Sequence, residues 1–247
     1  MEIVLGTTLL GLMFGTLGTT LGGIIGVLLR TRSNKFLSFI LEFAAGLMIA
    51  IVCFELIPES IELSGFLVCL VGLVIGVVVM MFCDNLVNYK YQYKLNKGMP
   101  INSMIKTGII VGIGLAIHNF PEGLAIGSGF GHSEKLGLTL AIAILIHDIP
   151  EGVSMSVPMK NGGMKTNKVL LYTFLSGITT GIGAFFGVLL GVISEQLISI
   201  CLGFAAGAML YIVVGELIPE SHKLYRGRWS YIGNLSGFLL GIISMQI

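Results

Sequence analysis

The stretch TGIIVGIGLAIHNFPEGLAIGSG, residues 107–129, is long and apolar enough for a membrane span but carries a polar hexamer at its centre. The hexamer is HNFPEG, from His118 to Gly123, and the next apolar stretch repeats it as HDIPEG, from His147 to Gly152. Ionisable side chains are rare inside membrane helices, because they are costly there, and they usually serve function. Two copies in the same order therefore indicate a functional site shared by two neighbouring spans.

The composition of the whole chain predicts a membrane protein. Of its 247 residues, 55% are hydrophobic and 11% are charged, whereas a soluble domain carries about 25% charged residues. The net charge of +1 excludes bulk attraction to nucleic acid. The four cysteines lack the CxxC spacing of zinc or redox motifs, so we interpret them as small apolar residues. We expect an all-α protein whose solvent is the lipid bilayer, without a nucleic-acid partner.

Eight apolar runs reach the length of about 20 residues that a transmembrane helix needs. We interpret residues 1–247 as a single transmembrane domain, because the connections between the runs are short. The first run lacks the charged start and cleavage site of a signal peptide, so we expect it to be retained. The predicted helices span about 3–29, 36–58, 64–88, 104–128, 136–158, 168–193, 197–219 and 229–247.

The basic residues predict the orientation in the membrane. With eight spans, 13 of the 14 lysines and arginines fall in connections on one side, and Lys135 alone falls on the other. Positively charged connections stay in the cytoplasm. We therefore expect a multi-pass protein of the cell membrane with both termini on the extracytoplasmic side.

A second repeat links distant parts of the chain. The segment FAAGLMIAIVCFELIPES, from Phe43 to Ser60, returns as FAAGAMLYIVVGELIPES, from Phe204 to Ser221. In the predicted topology the two copies run in opposite directions, and so do the two hexamers. This pattern is typical of inverted-repeat transporters, whose site lies near the middle of the bilayer. We therefore predict that spans one to three are related to spans six to eight, and span four to span five.

The spacing inside each hexamer predicts a metal site. In an α-helix His118 and Glu122 lie on one face, and His147 and Glu151 pair in the same way. Imidazole nitrogen with carboxylate oxygen suits Zn²⁺ and other first-row divalent ions, unlike the all-oxygen sites of Mg²⁺ and Ca²⁺. Asn119 and Asp148 flank the two histidines.

The prolines of the hexamers support this interpretation. Pro121 and Pro150 have no N–H to donate to the carbonyls of Ile117 and Ile146, so a kink is expected in each helix. The released carbonyls are tolerated at membrane depth where they line a cavity. We therefore expect carbonyl oxygens to face an ion or a water-filled path beside the site.

The paired motif on the fourth and fifth of eight spans closely resembles the ZIP (Zrt/Irt-like) family of divalent metal transporters, particularly its bacterial and GufA-type members. The resemblance covers essentially the whole chain. It implies uptake of Zn²⁺ into the cytoplasm, with Fe²⁺, Mn²⁺, Co²⁺ or Cd²⁺ as competitors, without enzymatic activity or a catalytic cofactor. It also implies an elevator motion of spans one, four, five and six against spans two, three, seven and eight. Family likeness alone suggests a homodimer.

The resemblance assigns residues to the site. The primary metal ligands it implies are His118, Glu122, His147 and Glu151. Met48 lies where the family can supply a soft ligand, although methionine also fills gaps in apolar cores. A secondary site in some members uses the positions of Asn119, Glu122, Asp148 and Glu151 with a glutamate from span six.

Span six departs from that pattern. It reads FLSGITTGIGAFFG, and Thr179 or Thr180 stands where many bacterial relatives have the glutamate. Ser176 and Thr180 offer neutral oxygens only. A single-ion site and a weakly binuclear site are therefore equally compatible with the sequence. The loop from Lys90 to Lys106 also lacks the histidines that many members carry there.

Three other functions could use parts of this sequence. An intramembrane metalloenzyme could activate water at a His/Glu site, but HExxH is absent and two near-symmetric halves favour alternating access. A serine protease around Ser128 lacks an assigned base. A metal-selective channel with the same site stays open, because sequence does not separate it from a carrier.

Four further acids lie inside the predicted spans. Glu55 and Glu216 occupy matching places in the repeat, either lining vestibules or solvated at helix ends. Glu42 and Asp84 are expected to pair with nearby cations such as Lys35 or Lys90.

Overall fold

The computed structural model describes residues 2–29, 33–96, 102–132, 134–189 and 195–244, and every regular element in these ranges is a helix. For some residues inside the helices, His147 among them, the backbone is described without the side chain. The α-helices are α1 (Glu2–Leu28), α2 (Asn34–Ile51), α3 (Ile57–Ser64), α4 (Phe66–Asn96), α5 (Ser103–His132), α6 (Glu134–Asn161), α7 (Thr166–Leu189), α8 (Glu195–Ile212), α9 (Ile218–Leu224) and α10 (Arg228–Ser244).

Seven segments of the described chain are long and apolar enough to cross a membrane: α1, α2 with α3, α4, α5, α6, α7, and α8 with α9. The eighth predicted span corresponds to α10, of which 17 residues are described. Residues 190–193 of the sixth predicted span and 245–247 of the eighth lie outside the described residues. The prediction of an all-α, multi-pass membrane protein is confirmed.

The second and seventh spans are longer than predicted. The sequence places their ends near residues 58 and 219, but the helices continue to Ser64 and Leu224. Each contains a wide π-helical turn, Val52–Leu56 in one and Val213–Leu217 in the other. The prolines two residues later, Pro58 and Pro219, have no N–H and would clash with a regular turn. A π-turn relieves this by moving the hydrogen bonds to the fifth residue back, so that Ile57 N donates to Val52 O.

The hexamer prolines behave differently. Pro121 and Pro150 lie inside α5 and α6, and both helices continue past them without a break or a wide turn. Neither proline ends its helix, because a packed neighbour can support a proline in a membrane helix. The predicted release of carbonyl oxygens beside the site stays a prediction.

The helices α1, α5, α6 and α7 pack closely on one another, and we call them the inner group. Glycine allows this packing because helix backbones can then meet directly. A Cβ atom on Gly22 of α1 would collide with the carbonyl oxygen of Ile149, and one on Gly183 of α7 with that of Phe120. The inner group is therefore held at backbone-to-backbone distance around the two hexamers.

The remaining helices, α2, α3, α4, α8, α9 and α10, form the outer group, in which α2 packs on α10 and α4 on α8. Buried serines join its two long spans at both ends. Ser221 Oγ lies 2.8 Å from Ser38 Oγ, and Ser60 Oγ lies 3.0 Å from Ser199 Oγ. Since the start of each span meets the end of the other, the second and seventh spans run antiparallel.

The two groups meet mainly where α5 packs on α8. Apolar residues fill this contact, with Ile110 and Leu115 of α5 in the same buried cluster as Met209 and Ile212 of α8. The hexamers lie farther along α5 and on α6. The fold therefore places them within the inner group and close to the surface that faces the outer group.

Candidate metal centre

The two hexamers bring polar side chains into the protein interior. His118, Asn119 and Asp148 have no exposed surface, and Glu151 is 1% and Glu122 8% exposed. Charged groups that are buried this deeply are normally paired or bound to metal ions. Their partners therefore define what the site does.

One imidazole and two carboxylates meet across α5 and α6. His118 Nε2 lies 3.0 Å from Glu122 Oε1, one turn farther along α5, and 3.6 Å from Glu151 Oε1 of α6. The structure thus brings together three of the four residues that the sequence predicts as primary ligands. The fourth, His147, lies on α6 one turn before Glu151, and its side chain is outside the described ones.

Many polar atoms around this centre have no hydrogen-bond partner in the described part of the chain, although buried polar groups are paired in more than about 90% of cases. His118 Nε2 is one of them, so its short approach to Glu122 is not aligned as a hydrogen bond. These atoms are His118 Nδ1 and Nε2, Asn119 Oδ1, Glu122 Oε2, both carboxylate oxygens of Asp148 and of Glu151, Ser176 Oγ and Thr180 Oγ1. Such a concentration of acceptors calls for a cation, protons or water.

The neighbouring helices shape this centre. Asn119 Nδ2 donates to the carbonyl oxygen of Ser176 on α7 at 3.2 Å. Thr179 Oγ1 donates to the same carbonyl at 2.7 Å, so it is engaged with its own helix. Asp148 packs on Gly18 of α1, where an added Cβ would lie 2.5 Å from the Asp148 Cβ. A larger residue at position 18 would displace this carboxylate.

Met48 is 1% exposed and lies in the main apolar cluster, which also contains Leu115 of α5 and Met155 of α6. Met48 lies on α2, and its environment is that of a core residue in the same cluster as residues of the two helices that carry the hexamers. A role for Met48 as a soft ligand stays a prediction.

The described side chains do not form a preformed metal cage. No group of three or more His, Cys, Asp or Glu side chains among them is arranged to hold a metal ion. The 3.0 and 3.6 Å separations around His118 Nε2 bring donors close together without surrounding a common point. Ligation by these residues therefore stays a prediction.

A cavity of about 250 Å³ approaches the centre from within the inner group. Its walls come from α5, α6 and α7, and they include Gly112, Ala116, Met155, Tyr172 and Ser176. Because the Ser176 carbonyl accepts the hydrogen bond from Asn119, the cavity ends beside the hexamer of α5.

Glu55, in the π-turn of the second span, lies within electrostatic range of His118 and Glu151. The sequence repeat draws attention to Glu55, but it predicts only a residue that lines a vestibule or lies at a helix end. Its approach to the hexamers depends on the packing of distant spans, which periodicity does not reveal.

The structure shows the partners of two other acids, Asp84 and Glu42. Asp84 lies 3.9 Å from Lys106 and accepts a hydrogen bond from the Tyr211 hydroxyl at 2.8 Å. Asp84 therefore pairs with a lysine, as expected, and that lysine is Lys106 of α5, which packs beside α4. The side chain of Lys90 is outside the described ones.

Glu42 also pairs with residues far along the chain. Its Oε1 lies 3.2 Å from His222 Nε2, and its Oε2 accepts a hydrogen bond from Asn234 at 2.9 Å. Lys35, which was expected to pair with it, instead lies over the ring of Trp229 at 4.7 Å.

Comparison with known proteins agrees with this picture. A family model described as ZIP Zinc transporter matches residues 90–247. The chain is 31% identical to the zinc transporter ZupT of Oceanobacillus iheyensis over 95% of both chains. It is 30% identical to the zinc transporter ZupT of Clostridium perfringens over 100% of this chain and 97% of that protein. It is 34% identical to the human zinc transporter ZIP11 over 59% of this chain and 44% of that protein.

These matches confirm the resemblance that the paired hexamers predicted. Members of the matched family are membrane transporters and not enzymes, which sets aside the metalloenzyme and protease interpretations. With its multi-pass helical fold and a family match that includes both hexamers, the chain belongs to the ZIP family of zinc transporters.

Proposed function

We propose that the protein takes up divalent transition-metal ions, chiefly Zn²⁺, across the cell membrane into the cytoplasm through a site built by the two hexamers. The observation that carries this proposal is the buried group of His118, Glu122 and Glu151, with carboxylate and imidazole atoms that lack hydrogen-bond partners among the described residues. A divalent cation would neutralise these carboxylates, which are otherwise costly at membrane depth.

The donor set favours zinc and its neighbours among the metals. His118, Glu122, His147 and Glu151 would supply two nitrogens and two carboxylates, and Met48 a thioether. Such a mixed set suits Zn²⁺, with Fe²⁺, Mn²⁺, Co²⁺ and Cd²⁺ as competing substrates. All of these ions are cargo that enters and leaves, so the ligands must release them during each cycle.

Asn119 and Asp148 would complete a second, weaker position beside the first. Asp148 has two buried oxygens without a hydrogen-bond partner in the described chain, and Thr180 adds a neutral hydroxyl. Because Thr179 and Thr180 carry no charge, the second position has one carboxylate fewer than in relatives with a glutamate there. We expect it to bind metal more weakly than the primary site.

The two helix groups suggest how the site is exposed to each side. The inner group consists of spans one, four, five and six, and its helices contact one another far more than they contact the outer group. We propose that it moves as a unit against the outer group, as in an elevator. Equivalent glycine contacts at Gly22 and Gly183 support an inverted repeat between the two halves.

Orientation and assembly complete the proposal. The distribution of basic residues favours both termini on the extracytoplasmic side. A homodimer in the cell membrane is proposed from family likeness.

The proposal is tested by uptake of radioactive zinc into proteoliposomes. We compare the wild type with Glu151→Gln and His147→Ala, and use Glu62→Gln, an exposed carboxylate on α3, as the matched control. Loss of even an outer partner of a metal ligand costs about 10- to 100-fold in metal affinity or activity. We therefore expect the rate of zinc uptake by both site variants to fall more than about 100-fold below that of the wild type. The control should keep the wild-type rate.

Size-exclusion profiles identical to the wild type show that the variants are folded. Full uptake by Glu151→Gln and His147→Ala would contradict the site. A wild type that moves none of Zn²⁺, Fe²⁺, Mn²⁺ and Cd²⁺ would contradict the function. Flux that does not saturate with metal concentration, and depends weakly on temperature, would identify a channel rather than a carrier.

A further inference from the structure

The first turns of α5 are bound to the outer group by polar side chains. Lys106 Nζ lies 3.2 Å from Glu216 Oε1, and Thr107 Oγ1 donates to Glu216 Oε2 at 2.9 Å. Ser103 Oγ donates to Glu220 Oε1 at 2.7 Å. Both oxygens of the Glu216 carboxylate are therefore held by one turn of α5.

Both carboxylates that Lys106 contacts belong to the outer group, and outer-group side chains hold one of them, Asp84, in place. Asp84, 3.9 Å from Lys106 Nζ, accepts hydrogen bonds from Tyr211 of α8 and Asn88 of α4, each at 2.8 Å. Glu216 is 6% exposed and sits in the wide turn before Pro219. The ammonium group thus enters a preformed pair of carboxylates.

These contacts join the two helix groups. The ion pairs of Lys106 run from α5, in the inner group, to α4 and to the wide turn after α8, in the outer group. Among the described side chains no other ion pair connects the two groups, since His118 pairs within one and Glu42 within the other. Any sliding of the groups must therefore break the contacts of Lys106.

The opposite end of the bundle differs. The number of residues between Lys106 and Lys135 equals the number between His118 and His147. Lys135 therefore occupies the place on α6 that Lys106 occupies on α5. It is exposed, and it forms no ion pair with a described side chain. One end of the surface between the groups is closed by ion pairs, while the equivalent lysine at the other end pairs with none of the described side chains.

We propose that Lys106 is a latch, a positioning residue that holds α5 against the outer group in the state seen here and releases Glu216 in each transport cycle. The proposal rests on the movement of the two groups described under the proposed function. Without Lys106 the state seen here would bury the Glu216 charge without a counter-charge, with only the Thr107 hydroxyl among the described side chains bound to it, which is strongly unfavourable. When α5 moves away from the outer group, water hydrates that carboxylate. Loss of the lysine therefore favours this separation, which we call opening.

The test measures opening without metal. Cys53, Cys69, Cys83 and Cys201 are replaced by alanine, and Ile110→Cys is introduced as the single reporter. Ile110 is fully buried, one turn beyond Lys106 on α5. We follow its modification by N-ethylmaleimide in proteoliposomes with Lys106, Lys106→Gln, Lys106→Arg and, as the matched control, Lys135→Gln.

We expect Lys106→Gln to raise the modification rate by roughly tenfold, the effect of losing one hydrogen bond to a charged group. Lys106→Arg keeps the charge and should stay near the wild-type rate, and Lys135→Gln should equal it. Adding Glu216→Gln to Lys106→Gln should bring the modification rate back toward the wild-type value, because no uncompensated charge then remains buried at position 216.

Equal rates in Lys106→Gln and the wild type would overturn the latch. Lys106→Arg as fast as Lys106→Gln would also overturn it, because loss of packing rather than of charge would then be responsible. The readout separates this proposal from the transport function. If the protein takes up zinc but Lys106→Gln leaves the modification rate unchanged, only the latch is contradicted. If the modification rates are as expected but no metal is transported, the transport function is contradicted.

Discussion

His118 shows most directly what single residues contribute. Its imidazole is buried and flanked by carboxylates from two helices, at 3.0 and 3.6 Å. The sequence predicted the Glu122 contact from the four-residue spacing and the Glu151 contact from the repeat. It did not predict the pairing of Lys106 with Glu216, because those residues lie 110 positions apart and only packing brings them together.

Thr180 allows a test of the second metal position at the same scale. Its hydroxyl is buried without a hydrogen-bond partner in the described chain, whereas Thr179 is bonded to its own helix. We expect Thr180→Glu to increase the number of zinc ions bound per chain, because a further carboxylate then lies beside Asp148. Thr179→Glu is the control and should leave that number unchanged. Equilibrium dialysis of the purified variants measures it, and equal values for both variants would contradict the assignment.

Helices were predicted more accurately in number than in extent. Apolar runs separated by charged connections identify each membrane segment, and this part of the prediction holds for the seven spans found. The ends of the second and seventh spans were placed too early, because the apolar runs give way to polar residues beyond Pro58 and Pro219. Wide turns just before both prolines let the helices continue, and a hydrophobicity pattern carries no sign of such a turn.

The close contact of Gly183 in α7 with α5 predicts how a larger residue there affects the stability of the protein. Gly183→Ala would press a methyl group onto the carbonyl oxygen of Phe120 in α5. Overpacking of this kind costs about 1–3 kcal/mol, so we expect the melting temperature in detergent to fall by several degrees. Gly6→Ala in α1 is the control, since an added Cβ there meets nothing within 4 Å. An equal melting temperature for the two variants would contradict the close contact of α5 with α7.

The whole molecule consists of two helix groups with different kinds of contact. Backbone-to-backbone packing at glycine dominates within each group, whereas side chains fill the surface between α5 and α8. The sequence repeat predicted that related halves exist. It could not show which helices associate, because repeats record common origin and the grouping depends on packing.

Orientation in the membrane is tested at this scale. In a cysteine-free background we expect Lys165→Cys to react with a membrane-impermeant maleimide only after cells are opened, because that connection is basic. Glu62→Cys, at the other end of the bundle, should react in intact cells. The reverse result would invert the topology, and with it the side on which Lys106 acts.

The glycine contacts between α1 and α6 recur at regular intervals, with Gly18 on Asp148, Gly22 on Ile149 and Gly152, and Gly26 on Ser156. Each step is four residues, so the contact follows one line along α1. One added or deleted residue in this segment would turn the following part of the helix by about 100° and place a side chain against the neighbouring backbone. Substitutions at the exposed positions of α1, such as Leu17 and Leu21, should therefore be tolerated during evolution, while insertions and deletions within residues 18–26 should be eliminated. We therefore expect the length of this helix to be under stronger selection than the identity of its exposed side chains.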